Sequence, residues 1–228
     1  MGITENYLKI REEIPEDILI VVASKTRTPK EIVEVIEAGA RDLGENYVQE
    51  AEKMKQELGE KANTIKWHMI GHLQKNKINK ALSVFDIIQT IDSLEKAQAI
   101  DKRAKRAGRG VIPVLVEINI GSEDSKAGVK PEEHEPFEEY IEKLIRDASK
   151  FEHLKVEGLM TMGPRFGNPE DSRPYFRRTR ETFEKIRGLN IPKVDMKYLS
   201  MGMTNSYRVA IEEGSNMVRI GTAIFGPR

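Results

Sequence analysis

The sequence predicts an α/β fold, a single (β/α)8 barrel that forms one domain over residues 1–228 and carries an extra N-terminal helix. Eight short apolar runs read as strands, and amphipathic segments of helical length separate them. The length of 228 residues suits one barrel of this kind. An open, doubly wound parallel sheet is the alternative, because it is built from the same alternation.

The first β/α unit has clear boundaries. A helix is expected over residues 3–13, and the unbroken apolar run Leu19–Ala23 then reads as a strand buried on both faces. The sequence TPKE at 28–31 can start a helix, since its threonine can cap, its proline suits the first turn and its glutamate completes a capping box. Gly39 is expected to end that helix.

Four further units follow the same pattern. The strand signals are Asp42–Asn46, Ile65–Ile70, Phe85–Ile91 and Ile112–Ile120. Helical segments follow them: one that stops at Gly59, a short lysine-rich one after Gly71, one that stops at Gly108 and one after Pro131. Asp92, Ser93 and Glu95 are candidate capping residues for the third of these helices.

The last third of the chain supplies three more strands. These are Val156–Met160, Lys197–Ser200 and Met217–Ile220, with helices over about 170–187 and around Tyr207. The Gly- and Pro-rich stretch 161–174 follows the sixth strand. Because that end of a barrel is its active face, the stretch is either a lid or an ordinary surface loop.

Composition excludes several classes of function. Lysine plus arginine and aspartate plus glutamate each number 37, so there is no basic excess for general binding to nucleic acid or membrane surfaces. The absence of cysteine removes disulfides, thiol nucleophiles and cysteine metal sites. The N-terminus has no signal peptide pattern, and no apolar run approaches the roughly 20 residues that span a bilayer. A cytoplasmic protein is expected.

Lys25 is the first candidate for chemistry. It comes directly after the apolar run LIVVAS (19–24), and desolvation there would lower the pKa of the amine and make it a better nucleophile toward an aldehyde. The alternative is a solvated loop lysine, since Arg27 and Lys30 follow closely.

The last two strands carry the pattern of a phosphate site. Arg219 lies between apolar neighbours, so its guanidinium needs a carboxylate or a bound ligand as acceptor. Gly221 and Thr222 at that strand end can offer backbone amides and a hydroxyl. Ser200 and Met201, after the seventh strand, can supply the other half, because barrels often bind phosphate with these two loops.

Other candidates are weaker. His68 and His72 have the i, i+4 spacing of a helical metal site, but the segment reads as a strand, so no metal is expected. Lys75, Lys77 and Lys80 fit a solvated helix face. Glu45 and Glu117 are candidates for carboxyl groups that face the barrel interior. Their spacing in the sequence does not pair them as acid and base.

Six segments together resemble the YggS/PROSC family of pyridoxal phosphate homeostasis proteins. They occur in order and span nearly the whole chain: VVASKTRTPKEI (21–32), LGENYVQE (43–50), WHMIGHLQKNK (67–77), GLMTMGP (158–164), LSMGMTNSY (199–207) and VRIGTAIFG (218–226). The departures are small. Thr204 and Asn205 stand where the family often has serine and an acid, and threonine keeps the hydroxyl.

The resemblance implies a fold-type III barrel related to the N-terminal domain of alanine racemase. It implies pyridoxal 5′-phosphate (PLP) as cofactor, held as a Schiff base on Lys25 with Asn46 beside it. The phosphate would lie against segments that match at Ser200, Met201, Gly221 and Thr222. Arg219 matches the arginine that faces the pyridine nitrogen in this fold type, where it would keep that nitrogen unprotonated and disfavour carbanion chemistry.

The expected function is therefore PLP homeostasis without robust catalysis: a carrier that lowers the level of reactive aldehyde and supplies PLP-requiring apo-enzymes. The β domain of alanine racemase, which supplies a second acid/base, has no counterpart expected here, and a monomer is favoured. Two alternatives stay open. One is a PLP-dependent amino-acid racemase or lyase acting through Lys25, and the other is a phosphosugar isomerase-like barrel without PLP.

Overall fold

Eight parallel strands close into a barrel in chain order, with helices packed around it, in the computed structural model of the protein. The structure describes residues 2–120, 127–134, 136–163 and 167–227. The strand β1 pairs with β2 on one side and with β8 on the other, which closes the ring. The predicted barrel is confirmed, and the open doubly wound sheet is wrong.

The element bounds follow the predicted order. The strands are β1 Leu19–Ala23, β2 Asp42–Glu45, β3 Lys66–Met69, β4 Ile87–Ile91, β5 Ile112–Ile118, β6 Leu154–Thr161, β7 Val194–Met203 and β8 Met217–Ile220. The helices are α1 Ile3–Glu13, α2 Pro29–Glu37, α3 Val48–Leu58, α4 Ile78–Val84, α5 Leu94–Arg106, α6 Phe137–Ala148, α7 Arg173–Gly188, α8 Tyr207–Glu212 and α9 Thr222–Phe225.

Two helix starts test the capping predictions. At α2, the Thr28 hydroxyl accepts from the Glu31 amide at 3.3 Å, and the Glu31 carboxylate accepts from the Thr28 amide at 2.7 Å, as the capping box requires. At α5, Ser93 is the N-cap and its hydroxyl accepts from the Lys96 amide at 3.3 Å. Asp92 instead accepts from Lys96 Nζ at 2.5 Å, so it is not the cap.

Some element boundaries differ from the predicted ones, because hydrogen-bond pairing between strands, rather than hydropathy, sets where those elements end. The strand β7 is longer than Lys197–Ser200 because it pairs with β6 and β8 beyond its apolar centre. The helix α9 has only four residues, too few to show a period. In the stretch 161–174, Thr161 ends β6 and a 3-10 turn covers Pro169–Ser172. Residues 164–166 lie outside the described residues, so the lid stays a prediction.

Alternation along the strands divides the buried side chains into two sets. One set faces outward and packs against the helices; we call it the outer core, and it includes Ile20, Trp67 and Val218. The other set faces the axis and forms the barrel interior. Its apolar members are Val21, Ile87, Leu115, Met160 and Met217.

The carboxyl ends of the strands carry a different set of inward side chains. Asn46 follows β2, while Glu117 and Arg219 lie on β5 and β8. This places polar groups directly above the apolar interior, at the end of the barrel where function is expected. Among the residues that the structure describes, no helix is long and apolar enough to cross a membrane.

Candidate functional site

A cavity of about 320 Å³ opens at the carboxyl ends of β1, β2, β7 and β8. Five of the seven residues predicted from the sequence line it: Lys25, Asn46, Arg219, Gly221 and Thr222. They come from segments up to 197 positions apart in the chain, as the numbers of Lys25 and Thr222 give. The barrel thus gathers in one cavity the residues that the sequence analysis selected from separate strand ends.

Seven other residues complete the lining. Thr204, Asn205 and Arg27 were named in the sequence but not as lining residues, and the other four carried no signal beyond lying near strand ends. They are Ala23, Arg27, Ile70, Met162, Met203, Thr204 and Asn205. Two of them, Ile70 and Met162, give the cavity an apolar wall between its polar ends.

Lys25 lies two residues beyond β1 and is half-buried at the cavity wall. The chain turns sharply at this point, since the Arg27 amide donates to the Ser24 carbonyl at 3.1 Å. Thr26 in the turn has φ of 65°, in the left-handed region that a β-branched residue rarely adopts. Strain of this kind costs on the order of 1–3 kcal/mol and is common at functional sites.

A buried carboxyl, Glu45, lies close enough to Lys25 for the two charges to interact. The Ser24 hydroxyl donates to Glu45 Oε1 at 2.7 Å, and Glu45 Oε2 has no hydrogen-bond partner. Burial raises the pKa of Glu45 to about 7, against the opposing effects of the Ser24 hydrogen bond and the Lys25 charge. Near neutral pH, this carboxyl can therefore exchange a proton with its surroundings.

Asn46 is positioned by a close approach of two backbones. A Cβ placed on Gly71 would lie 2.3 Å from the Asn46 carbonyl oxygen, so only glycine fits at position 71. Asn46 follows β2 directly and Gly71 follows β3, so the two strand ends meet beside the cavity. The glycine in the segment WHMIGH thus fixes where the asparagine lies.

The amides that follow β8 converge on one oxygen. The Gly221 and Ala223 amides both donate to Thr204 Oγ1, at 3.4 and 3.3 Å. Thr222 lies exposed between them at the start of α9. Because two N–H groups point to a single acceptor, the same position suits an oxygen of a phosphate group.

Arg27 strengthens that end of the cavity. Its Nη2 donates to the Gly226 carbonyl at 2.9 Å, and its guanidinium carbon lies 5.0 Å from the centre of the Phe225 ring. The guanidinium therefore lies against the C-terminal end of α9, where it is also paired with Glu31, with 3.4 Å between Arg27 Nη1 and Glu31 Oε1. The sequence position of Arg27, two residues after Lys25, is equally typical of a solvated loop residue.

Arg219 is buried at the bottom of the cavity. Its Nη1 donates to Ser200 Oγ at 2.6 Å, and its Nη2 donates to the Thr161 carbonyl at 2.8 Å. The expected acceptor was a carboxylate or a ligand, and the protein acceptors are instead a hydroxyl and a carbonyl. Burial lowers the pKa of Arg219 to about 10, which still leaves it charged at neutral pH, and the nearby Glu117 opposes that shift.

Glu117 is the second buried carboxyl near the cavity. Its Oε2 has no hydrogen-bond partner, and burial, assisted by the Asp92 charge, raises the pKa of Glu117 to about 7. Lys96 and Arg219 act in the opposite direction. Both carboxyls are buried, and Glu117 shares the inward face of β5 with Leu115, as expected. Glu45 was also expected to face the interior, but alternation along β2 places it on the outward face with Leu43.

The structure does not bring Ser200 and Met201 to the cavity wall. The Ser200 side chain is fully buried behind Arg219, where its hydroxyl donates to Gln89 Oε1 at 2.7 Å. Because side chains alternate along β7, Met201 faces the outer core, and its carbonyl accepts from the Ser215 hydroxyl at 2.9 Å. Their direct contact with a cofactor stays a prediction.

His68 and His72 do not form a pair on one helix face, because His68 lies on β3 and His72 follows the end of that strand. His68 is buried in the barrel, where its Nε2 donates to Asp42 Oδ1 at 2.8 Å, whereas His72 is exposed beyond β3. Within the described ranges, no three His, Asp or Glu residues are grouped closely enough to hold a metal ion. The third lysine of the predicted solvated face, Lys80, is paired with Glu52 at 3.0 Å.

The chain is similar to several known proteins in sequence and in structure. The family model described as alanine racemase, N-terminal domain, matches residues 2–228. A pyridoxal phosphate homeostasis protein of Aquifex aeolicus is 42% identical over 207 residues, which cover 90% of this chain and 85% of the relative. The human protein of the same description is 37% identical over 92% of this chain and 76% of its own length.

Solved structures agree with the sequence relatives. PipY of Synechococcus elongatus, in a structure without PLP, is 27% identical with a TM-score of 0.88, covering 99% of this chain and 100% of PipY. PipY with PLP bound is 28% identical, with a TM-score of 0.84 and the same coverage. An alanine racemase of Clostridium difficile shares the fold with a TM-score of 0.74 at 19% identity, covering all of this chain and 57% of the racemase.

Proposed function

Since this chain belongs to the pyridoxal phosphate homeostasis proteins, within the family of the alanine racemase N-terminal domain, we propose that it binds PLP in the cavity described above. It would hold PLP as a reversible Schiff base on Lys25 and take part in PLP homeostasis. The observation that carries the proposal is the convergence of Lys25, Arg219 and the Gly221 amide on one cavity.

The residues present fit the three chemical ends of PLP. An amine is needed for the aldehyde, and Lys25 supplies it at the wall. Hydrogen-bond donors are needed for the phosphate, and the Gly221 and Ala223 amides already share one acceptor oxygen. A donor is needed for an unprotonated ring nitrogen, and the buried guanidinium of Arg219 is one.

Bound PLP supplies an aldehyde, which condenses with a neutral amine to a Schiff base with release of water. Lys25 must first lose a proton from Nζ. Glu45 interacts electrostatically with Lys25 and has a pKa near 7, so we propose that it takes up that proton, directly or through water, and returns it on release of the cofactor. Asn46, which follows the neighbouring strand β2, would help to orient the bound ring.

We further propose that the protein is a carrier rather than an enzyme. A charged Arg219 would donate to the ring nitrogen of bound PLP and keep it unprotonated, and an unprotonated ring would withdraw electrons only weakly from a bound amino acid. Its recipients would be PLP-requiring apo-enzymes. Action in the cytoplasm as a monomer, without nucleic acid or membrane, stays a prediction.

The proposal is tested by trapping the adduct. The purified protein is mixed with PLP, reduced with borohydride and mapped by mass spectrometry. One reduced adduct on Lys25 is expected, and Lys25→Ala should lose it while weak, non-covalent binding remains. Lys30→Ala, at an exposed lysine on α2, is the matched control and should label like the wild type. An adduct spread over several surface lysines, or none, would contradict the proposal.

A racemase or lyase remains the competing function, because alanine racemases share the fold. Both reactions would exchange the Cα hydrogen of an amino acid with solvent. The PLP-loaded protein is incubated in deuterium oxide with a panel of amino acids and analysed on a chiral column. We expect exchange no faster than with Lys25→Ala. Rapid stereospecific exchange that depends on Lys25 would make the protein an enzyme.

A further inference from the structure

A continuous file of hydrogen bonds crosses the barrel interior from Arg219 to Asp42. Arg219 Nη1 donates to Ser200 Oγ at 2.6 Å, and the Ser200 hydroxyl donates to Gln89 Oε1 at 2.7 Å. Gln89 Nε2 lies 2.8 Å from His68 Nδ1. His68 Nε2 lies 2.8 Å from Asp42 Oδ1.

Every member of this polar file is buried. Ser200 and Gln89 are 0% exposed, His68 is 1% exposed and Arg219 is 4% exposed. The file begins on β8 and passes through β7, β4 and β3 to β2, so it spans the width of the barrel. A buried chain of this length is costly unless each donor has an acceptor, which gives every member a defined role.

The donor and acceptor in each hydrogen bond of the polar file can be assigned by starting from Asp42. A carboxylate only accepts, so His68 must carry its proton on Nε2. Burial lowers the pKa of His68 below its ordinary value, against the Asp42 charge and hydrogen bond, so the ring stays neutral and Nδ1 is an acceptor. The remaining charged groups acting on the ring are Lys66, which assists the lowering, and Asp86, which opposes it.

The neutral ring then orients the rest of the file. Nδ1 needs a donor, so the Gln89 amide must turn its nitrogen to His68 and its oxygen to Ser200. The Ser200 hydroxyl therefore gives its hydrogen to Gln89 and keeps a lone pair for Arg219. In the reversed order, Gln89 oxygen would face His68 and require a second proton on a fully buried ring.

We propose that His68, Gln89 and Ser200 are positioning residues for Arg219: they hold its guanidinium in the one orientation that directs it to the ring nitrogen of bound PLP. Two contacts anchor the group, the Ser200 hydroxyl and the Thr161 carbonyl. This inference rests on the proposed function for the identity of the ligand. The hydrogen-bond order itself is a property of the protein without PLP.

The first experiment tests this order of hydrogen-bond donors and acceptors in the protein without PLP. The protein is labelled with ¹⁵N-histidine, and the tautomer of each ring is followed by NMR between pH 5 and 8. Wild-type His68 should show the Nε2–H tautomer and no titration. Gln89→Glu places a carboxylate, which cannot donate, against Nδ1. We therefore expect His68 to take a second proton within that range.

Thr90→Val is the matched control on the same strand, because the buried Thr90 hydroxyl has no hydrogen-bond partner. It should leave the His68 signals unchanged. A wild-type His68 with the Nδ1–H tautomer, or one that titrates at the ordinary imidazole value, would overturn the assigned order. An unchanged His68 in Gln89→Glu would do the same.

The second experiment tests whether the Ser200 hydroxyl positions Arg219 for PLP binding. Ser200→Ala removes its hydroxyl acceptor, and we expect PLP affinity to fall about tenfold, as loss of a hydrogen bond to a charged group implies. The visible absorption of the Lys25 adduct should also become pH-dependent, since the ring nitrogen can then take a proton from solvent as the pH falls. Ser200→Thr keeps the hydroxyl and should restore the wild-type spectrum.

Ser215→Ala is the control for loss of a buried serine. The Ser215 hydroxyl lies within 3.1 Å of the Leu199, Met201 and Met217 carbonyls, and no bond joins it to Arg219. Its spectrum should match the wild type. If Ser200→Ala keeps both affinity and spectrum, the positioning role is wrong. If even the wild type forms no adduct, the proposed function fails while the NMR result still tests the file.

Discussion

The outer core and the barrel interior are both buried, yet they are built from different chemistry. The outer core is a continuous apolar layer between strands and helices, with Trp67 and Phe176 fully buried in it. Among the described residues, the interior combines the apolar side chains Val21, Ile87, Leu115, Met160 and Met217 with the polar file and Glu117. The buried Glu45 lies at the end of β2. Apolar burial stabilises the fold, whereas buried charge opposes it.

This contrast separates the source of stability from the source of binding. Substitutions in the outer core should unfold the protein without altering the cavity. Substitutions in the interior should change ligand binding and pH dependence, and some of them should raise stability. Three predictions test that division, in addition to the tests of Lys25 and the polar file.

The largest effect is expected at Trp67. The ring is fully buried, and its Nε1 donates to the Ala62 carbonyl at 3.1 Å. Trp67→Ala would leave a cavity in the outer core and an acceptor without its donor, so the free energy of unfolding should fall by about 3–5 kcal/mol. Denaturant titration measures the change.

A control for Trp67 is Val111, which is 55% exposed. Val111→Ala should change the free energy of unfolding by less than about 0.5 kcal/mol. PLP binding by the folded fraction of Trp67→Ala should equal that of the wild type. A loss of PLP affinity in folded Trp67→Ala would show that the two regions are not independent.

A smaller effect, of opposite sign, is expected at Glu45. Burial raises its pKa from 4.5 to about 7 on folding, so the folded state binds the proton more tightly than the unfolded state. Stability is therefore lost as pH rises from about 4.5 to about 7. Glu45→Gln should raise the free energy of unfolding by roughly 2–3 kcal/mol at pH 8 and change it little at pH 4.

Denaturant titrations over this pH range separate Glu45 from other groups. Glu117 contributes in the same direction, whereas His68, whose pKa is lowered, contributes stability that is lost as pH falls below its ordinary value. The exposed Glu12 is the control, and Glu12→Gln should give a curve parallel to the wild type. A Glu45→Gln advantage that does not depend on pH would contradict the assignment.

The smallest effect is expected at the strained turn beside Lys25. Thr26→Gly relieves the positive φ but adds freedom to the unfolded chain, so the net gain in stability should be about 0.5 kcal/mol. PLP affinity should fall, because the turn no longer fixes Lys25. Lys193→Gly is the control: it too has a positive φ, of 63°, but lies before β7 at the opposite end of the barrel. It should alter stability alone, and a loss of PLP affinity in this variant would contradict the distinction.

Most of the secondary structure and five of the residues that line the cavity could be predicted from the sequence. Apolar runs and their alternation with helical segments located the strands, including β2, where Leu43 is the one apolar residue. They missed α9, which is too short to show a period. Lys25 and Gly221 were found because they follow apolar runs directly. Thr204 and Arg27 were missed as lining residues, since neither lies in a pattern that distinguishes a cavity from solvent.

The sequence alone determined the order of elements and the strand ends at which side chains collect, because these depend on hydropathy and on local turn chemistry. Closure of the barrel was decided by the pairing of β1 with β8, since an open sheet has the same alternation of strands and helices. The tertiary structure decided which polar groups meet. Partners in the polar file are separated by 19 to 111 positions in the chain. Such contacts depend on strand alternation and on the register of neighbouring strands, where a shift of one residue exchanges the barrel interior for the outer core.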